Sequence, residues 1–321
     1  MKINLTKMMM LFTMILSAMT AMSTSSMMMI WTMMEINLMS FLPILTSSSS
    51  MKDQPMKYFI IQSLASSMML MSILMNSMTE SPLSSSVMLL SSLLMKMGLL
   101  PFHLWVPMIM KPMTWESCFI LMTMQKIIPT IIMAQLISLK MMITPMCLTM
   151  MLAPIMAIKQ SSMKTIMAYS SISNSPWMII SLMNSKSQFM TFFSVYTIIN
   201  LMITKKLKSM NFMFLNQIKP KSKMIKMSII VNILSMSGMP PMMGFFPKWM
   251  ILQTTMMFSL AIATSMIVSS VLSTFIYMKM ISPVLMITQM TEKKSIKKKE
   301  MENDITINIM GTILLLMMKS F

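Results

Sequence analysis

The chain has 321 residues, of which 55% are hydrophobic and only 11% are charged, with a mean hydropathy of +0.72 and a formal net charge of +18. A soluble domain carries about 25% charged residues, so this composition excludes an ordinary soluble protein. The lysines lie in short gaps between apolar runs, with no basic stripe interleaved with aromatic residues, so the charge does not indicate a nucleic-acid partner.

The basic residues are all lysine, and the chain contains 61 methionines together with abundant serine. Packing does not demand so much methionine. We hypothesise an AT-rich gene read with the animal mitochondrial code, in which ATA encodes Met and AGA or AGG encodes Ser. The coding DNA tests this idea, because few ATA codons at these methionines would contradict it.

Apolar runs of roughly 20 residues, enough to cross a bilayer, recur along most of the chain. A backbone within lipid must satisfy its own hydrogen bonds, which favours helices. A membrane barrel would instead need short alternating strands. We therefore predict an all-α polytopic membrane protein with about 11 transmembrane helices. They are placed at residues 5–22, 26–45, 56–76, 84–108, 115–138, 142–158, 165–183, 188–205, 226–254, 255–280 and 304–321.

Lysine placement predicts the orientation of these spans. Twenty of the 26 lysines fall on the side that holds the N-terminus, and three fall on the opposite side: Lys140, Lys186 and Lys319. Positive residues stay on the side of synthesis. We therefore expect the N-terminus on the mitochondrial matrix side and the C-terminus on the intermembrane-space side. The segment 283–303 is expected to be a charged, solvated matrix loop, with lipid-headgroup contact as the alternative.

Four charged residues lie inside predicted spans, where a charge costs roughly 2.5–3.5 kcal/mol at the bilayer centre. These residues are Glu35, Lys96, Lys126 and Lys248. We interpret them as groups that bind protons or small cations. The alternatives are structural: Glu35 could bond Asn37 or pair permanently with Lys96, Lys126 could be a structural lysine, and Lys248 could reach the membrane interface.

Glycine and proline interrupt the fourth predicted span after Lys96 and the ninth before Lys248. A broken helix is tolerated in a membrane only beside protein or a water-filled cavity. The two breaks are five spans apart, and an odd number inverts the second set, which is typical of inverted-repeat transporters. The predicted organisation is two inverted five-helix halves, 1–140 and 141–282, followed by the loop 283–303 and a C-terminal helix at 304–321.

His103 is the one histidine of the chain. A single histidine cannot hold a haem pair, which excludes haem-bearing membrane subunits. On an uninterrupted helix it would lie two turns from Lys96, so it is a candidate relay residue, with a hydrogen-bonded core histidine as the alternative. Cys118 and Cys147 show neither disulfide nor metal spacing. With no phosphate loop or nucleophile–base pair, we expect no active site of its own.

Several short strings, in family order from about residue 30 to 250, resemble the subunit 2 family of mitochondrial NADH dehydrogenase, in the membrane arm of respiratory complex I. They are Glu35-Ile-Asn37-Leu, Phe41-Leu-Pro43, Lys57-Tyr58-Phe59, Gln62-Ser-Leu-Ala65-Ser66, Lys96-Met-Gly98, Pro101-Phe-His103-Leu-Trp105, Met124-Gln125-Lys126-Ile-Ile-Pro129, Met167-Ala168-Tyr-Ser170 and Gly238-Met-Pro240-Pro241 through Lys248-Trp249.

The resemblance implies the antiporter-like fold and redox-driven proton pumping in the mitochondrial inner membrane. It assigns the proton relay to Glu35, Lys96, Lys126 and Lys248. It implies no cofactor in this chain, with NADH, flavin, iron–sulfur clusters and quinone in other subunits. The expected partners are other complex I membrane-arm subunits, both mitochondrially encoded and accessory, and the lipid bilayer.

In the expected relay, a carboxylate facing a buried lysine favours the ammonium, and withdrawal of that carboxylate favours release of the proton. The proton would pass through water from Lys96 to Lys126 and then towards Lys248. One departure concerns Asn174, where the family commonly has histidine, so water or Lys164 would have to carry the proton. The alternatives are a sodium/proton antiporter subunit of the same fold and a scaffold subunit that conducts nothing.

Overall fold

The computed structural model describes residues 5–48, 53–78, 82–217, 223–286, 305–308 and 311–312. These residues are almost entirely helical, and within them the only extended pairing is an isolated antiparallel bridge between Ser162 and Phe214. The all-α prediction is confirmed. The helices are α1 (Leu5–Ser23), α2 (Met27–Ser48), α3 (Asp53–Met78), α4 (Pro82–Met97), α5 (Trp105–Met110), α6 (Trp115–Met122), α7 (Met124–Leu136), α8 (Leu139–Ile158), α9 (Met163–Asn184), α10 (Lys186–Met210), α11 (Lys223–Ser237), α12 (Phe245–Thr255) and α13 (Leu260–Leu285).

Seven helical segments of the described chain are long and apolar enough to cross a membrane: α1, α2, α3, α6 with α7, α8, α10 and α13. Helix α9 has the length, at 22 residues, but serines lower its hydropathy. Helices α4 and α11 are shorter apolar helices. The first ten predicted spans each coincide with helix. Most of the predicted loop 283–303 and of the helix 304–321 lies outside the described residues.

The first predicted break lies between α4 and α5. Gly98 adopts a φ of +67°, which side-chain-bearing residues rarely adopt. Its N–H donates to the Met95 carbonyl at 3.2 Å, and the N–H of Leu99 donates to the Leu94 carbonyl at 3.0 Å. This pair of bonds is the Schellman motif, which ends a helix on a left-handed glycine.

The second predicted break lies between α11 and α12 and uses the same motif. Gly238 has a φ of +77°. The N–H groups of Gly238 and Met239 donate to the carbonyls of Ser235 and Leu234 at 3.2 and 3.4 Å. Both breaks were predicted from glycine and proline, and both end a helix as the sequence indicated.

A third break, between α6 and α7, was not predicted. Thr123 departs from helical geometry there, with φ at −113° and ψ at −75°, although its N–H and its hydroxyl both donate to the Phe119 carbonyl, at 3.1 and 2.8 Å. Pro129 lies inside α7. The break falls three residues before Lys126.

The chain forms two compact units, Met1–Thr149 (unit 1) and Met150–Phe321 (unit 2). In unit 1, α1 packs on α2, α2 on α3 and α3 on α4, while α7 contacts α1 and α4. In unit 2, α9 contacts α10, α12 and α13, and every residue from 163 to 181 is buried. The predicted division into inverted halves at 140 and 141 stays a prediction.

Candidate functional site

Unit 1 contains a cavity of about 30 Å³ beside the first helix break. A space of this size accommodates about two water molecules. Its polar lining comes from six side chains: Asn37, Tyr58, Gln62, Lys96, Gln125 and Lys126. The fold therefore brings two of the predicted lysines to one small polar space.

Lys96 lies in the last turn of α4, with 8% of its surface exposed. Its Nζ donates to the Sδ atom of Met34 at 3.2 Å, and a thioether is a weak acceptor. The Lys96 carbonyl, left open by the end of α4, accepts from Gln62 Nε2 at 3.3 Å. The ammonium thus sits in a polar space but has a poor protein acceptor.

Glu35 is half-buried on α2, next to Met34 in the chain. Its carboxylate acts electrostatically on both Lys96 and Tyr58. Within the described residues its buried Oε1 has no hydrogen-bond partner, and the hydrogen bond of Lys96 goes to Met34 instead. Glu35 and Lys96 therefore interact through their charges rather than as a tightly bonded pair.

Lys126 lies in the first turn of α7, with 3% of its surface exposed. Because α7 begins at Met124, the positive end of that helix dipole lies at Lys126. Pro129 has no N–H to donate to the Gln125 carbonyl four residues earlier. The unpredicted break and the proline together leave polar backbone groups beside the cavity.

Three uncharged polar side chains that line this cavity are hydrogen-bonded in series. The Tyr58 hydroxyl donates to Gln125 Oε1 at 3.2 Å, and Gln125 Nε2 donates to Asn37 Oδ1 at 3.2 Å. Phe41 and Trp105 pack around the Tyr58 ring, with centroids at 5.2 and 6.0 Å. Sequence reasoning did not include this series of hydrogen-bonded side chains in the site. The available signal was that Asn37 and Gln125 lie within two residues of Glu35 and Lys126.

Lys248 lies on α12 in unit 2 and is half-buried. Its Nζ donates to the carbonyls of Met236 and Ser237, at 3.2 and 3.0 Å, which end α11. The same atom lies 5.9 Å from the ring centroid of Trp177. Lysines commonly cap the last carbonyls of a helix in this way. The amine is therefore directed at the second break within unit 2.

A second cavity, of about 20 Å³, lies beside Lys248 and takes about one water molecule. Asn174 of α9, Tyr196 of α10 and Ser235 of α11 share its lining with Lys248. Asn174 is buried at the middle of α9. An asparagine does not titrate, so proton movement past this point requires water or hydroxyl groups.

His103 is buried in the segment between α4 and α5, and its Nδ1 lies 3.2 Å from the Pro101 carbonyl. It does not line the cavity that holds Lys96 and Lys126, because the break interrupts the helical spacing that would have aligned it with Lys96. Its relay role stays a prediction. The described residues hold no cluster of three or more His, Cys, Asp or Glu side chains suited to a metal.

Two lysines, a carboxylate and space for a few waters form a set that can bind and release protons. The family described as NADH:quinone oxidoreductase/Mrp antiporter, transmembrane, matches residues 21–276 of the chain. Three similar proteins are NADH-ubiquinone oxidoreductase chain 2 of different animals. That of Locusta migratoria is 38% identical over 70% of this chain and 69% of its own length.

The other two relatives cover nearly the whole chain. The protein from Rhipicephalus sanguineus is 33% identical over 96% of this chain and 99% of its own length. The protein from Ceratotherium simum is 30% identical over 95% and 93%. These matches extend past the region on which the short strings lie.

Solved structures share the fold. A chain of respiratory complex I from Thermus thermophilus superposes with a TM-score of 0.81 at 18% identity, covering 98% of this chain and 77% of that one. A chain of the Mrp complex from Dietzia superposes with a TM-score of 0.75 at 16% identity, covering 87% and 60%.

Proposed function

Because this chain belongs to the NADH-ubiquinone oxidoreductase chain 2 family, we propose that its buried lysines translocate protons. The chain is an antiporter-like subunit of the membrane arm of that enzyme and has no redox site of its own in this proposal. The supporting observation is the cavity of unit 1, where Lys96 and Lys126 share space for water and Glu35 acts on Lys96.

In this mechanism the Glu35 carboxylate stabilises the Lys96 ammonium. When that carboxylate is neutralised or drawn away, the Met34 thioether is the acceptor that remains among the described residues, and a buried charge without compensation is costly. The proton then passes to water in the cavity and on to Lys126, which lines the same space. Lys248 binds and releases a proton in unit 2, beside its own cavity.

The chain is a multi-pass mitochondrial membrane protein that works with other complex I subunits. We place it in the inner membrane, with the N-terminus in the matrix and the C-terminus in the intermembrane space, from the distribution of its lysines. Its partners would include mitochondrially encoded and accessory subunits. NADH, flavin, iron–sulfur and quinone chemistry in other subunits would supply the work.

Lys126→Met in the intact complex tests the proposal. Methionine keeps an unbranched apolar side chain in the packed site, so the complex should assemble. NADH-driven proton translocation in membrane vesicles should fall about tenfold or more, equivalent to a barrier rise of about 1.4 kcal/mol. The control is Lys140→Met, an exposed lysine at the start of α8, which should leave the rate unchanged.

Two outcomes would refute the relay. Normal translocation by an assembled Lys126→Met complex would make the chain a scaffold. Translocation that depends on sodium and proceeds without NADH oxidation would make it a sodium/proton antiporter subunit.

A further inference from the structure

Several buried polar atoms of unit 2 have no hydrogen-bond partner among the described residues. Asn200, on α10, has no exposed surface, and within the described residues neither its Oδ1 nor its Nδ2 is hydrogen-bonded. The hydroxyl of Tyr196, one turn earlier, is also without a hydrogen bond. The Asn200 side chain is close enough to that hydroxyl to interact with it, but the two do not have the geometry of a hydrogen bond.

The neighbouring helix α11 adds a third such group. Asn232 is buried and its Oδ1 accepts from Asn308 Nδ2 at 2.9 Å, but its own Nδ2 has no partner among the described residues. A buried polar group left unpaired costs about 1–3 kcal/mol. Native proteins meet that cost with ordered water, which needs two to four polar partners. Three unsatisfied side chains on α10 and α11 therefore indicate bound water.

Tyr196 lines one cavity of unit 2 and acts electrostatically on a residue that lines another. It lines the cavity of Lys248, and its hydroxyl interacts with that of Tyr277 on α13. Tyr277 contacts Ser170 and lines a third cavity, of about 10 Å³, together with Tyr169 and further serines of α9 and α13. Tyr196 and Tyr277 act on each other electrostatically, and each lines one of the two cavities.

The third cavity lies at the lysine-rich end of unit 2. Pro154 and Ala157, at the end of α8, contribute to its wall, and Lys279 Nζ donates to the Ile158 carbonyl at 2.6 Å. From Ile166, beside this cavity, to Asn174, beside the cavity of Lys248, is about 12 Å along α9. The polar groups therefore lead from the end that carries the lysines to the middle of the unit.

We propose that Tyr196 and Asn200 form a buried water-binding site that joins these two cavities and supplies Lys248 with protons. This inference rests on the proposed function, because it assigns the uptake route of one relay lysine. It explains how the chain works with asparagine at 174: the route passes along hydroxyl groups and water, and no residue at that position needs to titrate.

The chemistry of the route is proton exchange without net change. Each water or tyrosine hydroxyl accepts a proton on one side and gives up its own on the other, so the route is restored after the water molecules reorient. The hydroxyls of Ser170 and Ser173 already donate to carbonyls of their own helix, at 2.8 and 2.9 Å. Their lone pairs remain to accept from water. Asn200 orients water and does not exchange protons itself.

Asn200→Leu in the intact complex tests the site. Leucine has a similar volume and removes both unpaired polar atoms, so assembly should be at least as good as in the unmodified complex. NADH-driven proton translocation should fall about fivefold, the equivalent of one lost hydrogen bond. The matched control is Thr204→Val, one turn further along α10, whose hydroxyl bonds the Asn200 carbonyl of its own helix; its rate should not change.

Tyr196→Phe should lower the rate in the same direction, since it removes only the hydroxyl. A cryo-EM map of the unmodified complex should show ordered water within hydrogen-bond distance of Asn200. A dry site, or unchanged rates in both variants, would overturn the inference. Lys248→Met distinguishes a wrong route from a wrong proposed function. If Lys248→Met stops translocation while Asn200→Leu and Tyr196→Phe do not, the relay role of Lys248 stands and only the route is refuted.

Discussion

Both helix breaks end on a Schellman motif, but different side chains donate to the helix-end carbonyls. At the first break the indole Nε1 of Trp105 donates to the Met95 carbonyl at 3.0 Å, and Lys96 turns to the thioether of Met34. At the second break Lys248 itself donates to two carbonyls of α11. The capping residue and the buried lysine are thus separate residues in unit 1 and the same residue in unit 2.

This difference teaches how a lysine can be tolerated in a membrane. Lys248 is compensated by two backbone carbonyls at the end of α11. Lys96 has a weak acceptor, the Met34 thioether, and the charge of Glu35. We therefore expect the first lysine to be the more responsive group and the second to contribute more to stability.

The largest expected effect concerns the glycines that shape the breaks. Gly98→Ala should destabilise the complex by about 2–5 kcal/mol, because the left-handed backbone costs about 1–2 kcal/mol and overpacking against Val106 adds about 1–3 kcal/mol. Gly238→Ala should cost less, since its Cβ would meet mainly the flexible Lys248 side chain, with Cδ at 2.9 Å, and would lie 3.3 Å from the Gly244 carbonyl. Thermal dissociation of the purified complex measures both, and equal losses would mean that the two breaks are equally tight.

The next effect separates the two lysines. Lys248→Met should lower the free energy of unfolding by about 1–3 kcal/mol, because it leaves two helix-end carbonyls without their donor. Lys96→Met should not lower it, since it removes a buried charge whose acceptor is only a thioether. Both variants should lose proton translocation. Thermal stability of the assembled variants checks this ranking, and a larger loss in Lys96→Met would reverse the comparison.

The smallest effect tests the cap of the first break. Trp105→Phe removes the bond to Met95 and should cost about 0.5–1.5 kcal/mol, with faster amide hydrogen exchange at residues 94–99. Trp31→Phe is the control, because it removes an equal bond, to the Ser66 carbonyl at 3.0 Å, away from the break. Equal exchange at residues 94–99 in the two variants would show that Trp105 does not hold the end of α4.

Much of the fold and part of the site followed from single residues. Gly98 and Gly238 predicted the two breaks because few residues other than glycine adopt the left-handed backbone conformation. The cost of burying charge selected Lys96 and Lys126, which share one cavity. Their roles in transport stay predictions.

Other features depend on contacts between helices and had no local signal. The helix is interrupted at Thr123, whereas Pro129 is accommodated within α7. The partner of Tyr58, Gln125, lies 67 residues along the chain. Helix α9 was expected as a span, yet its serines carry it below the hydropathy of the other long helices.

The scarcity of glycine has a consequence for how this gene can change. The chain has four glycines, and at each of them a methyl group would come within 3.0 Å of another atom, from Val106 at Gly98 and the Ser235 backbone at Gly244 to Met243 at Gly311. At Gly238 and Gly311 the atoms in the way belong to the flexible side chains of Lys248 and Met243, which can move. At Gly98 and Gly244 they belong to a branched side chain and to backbone, so these two positions should tolerate substitution least.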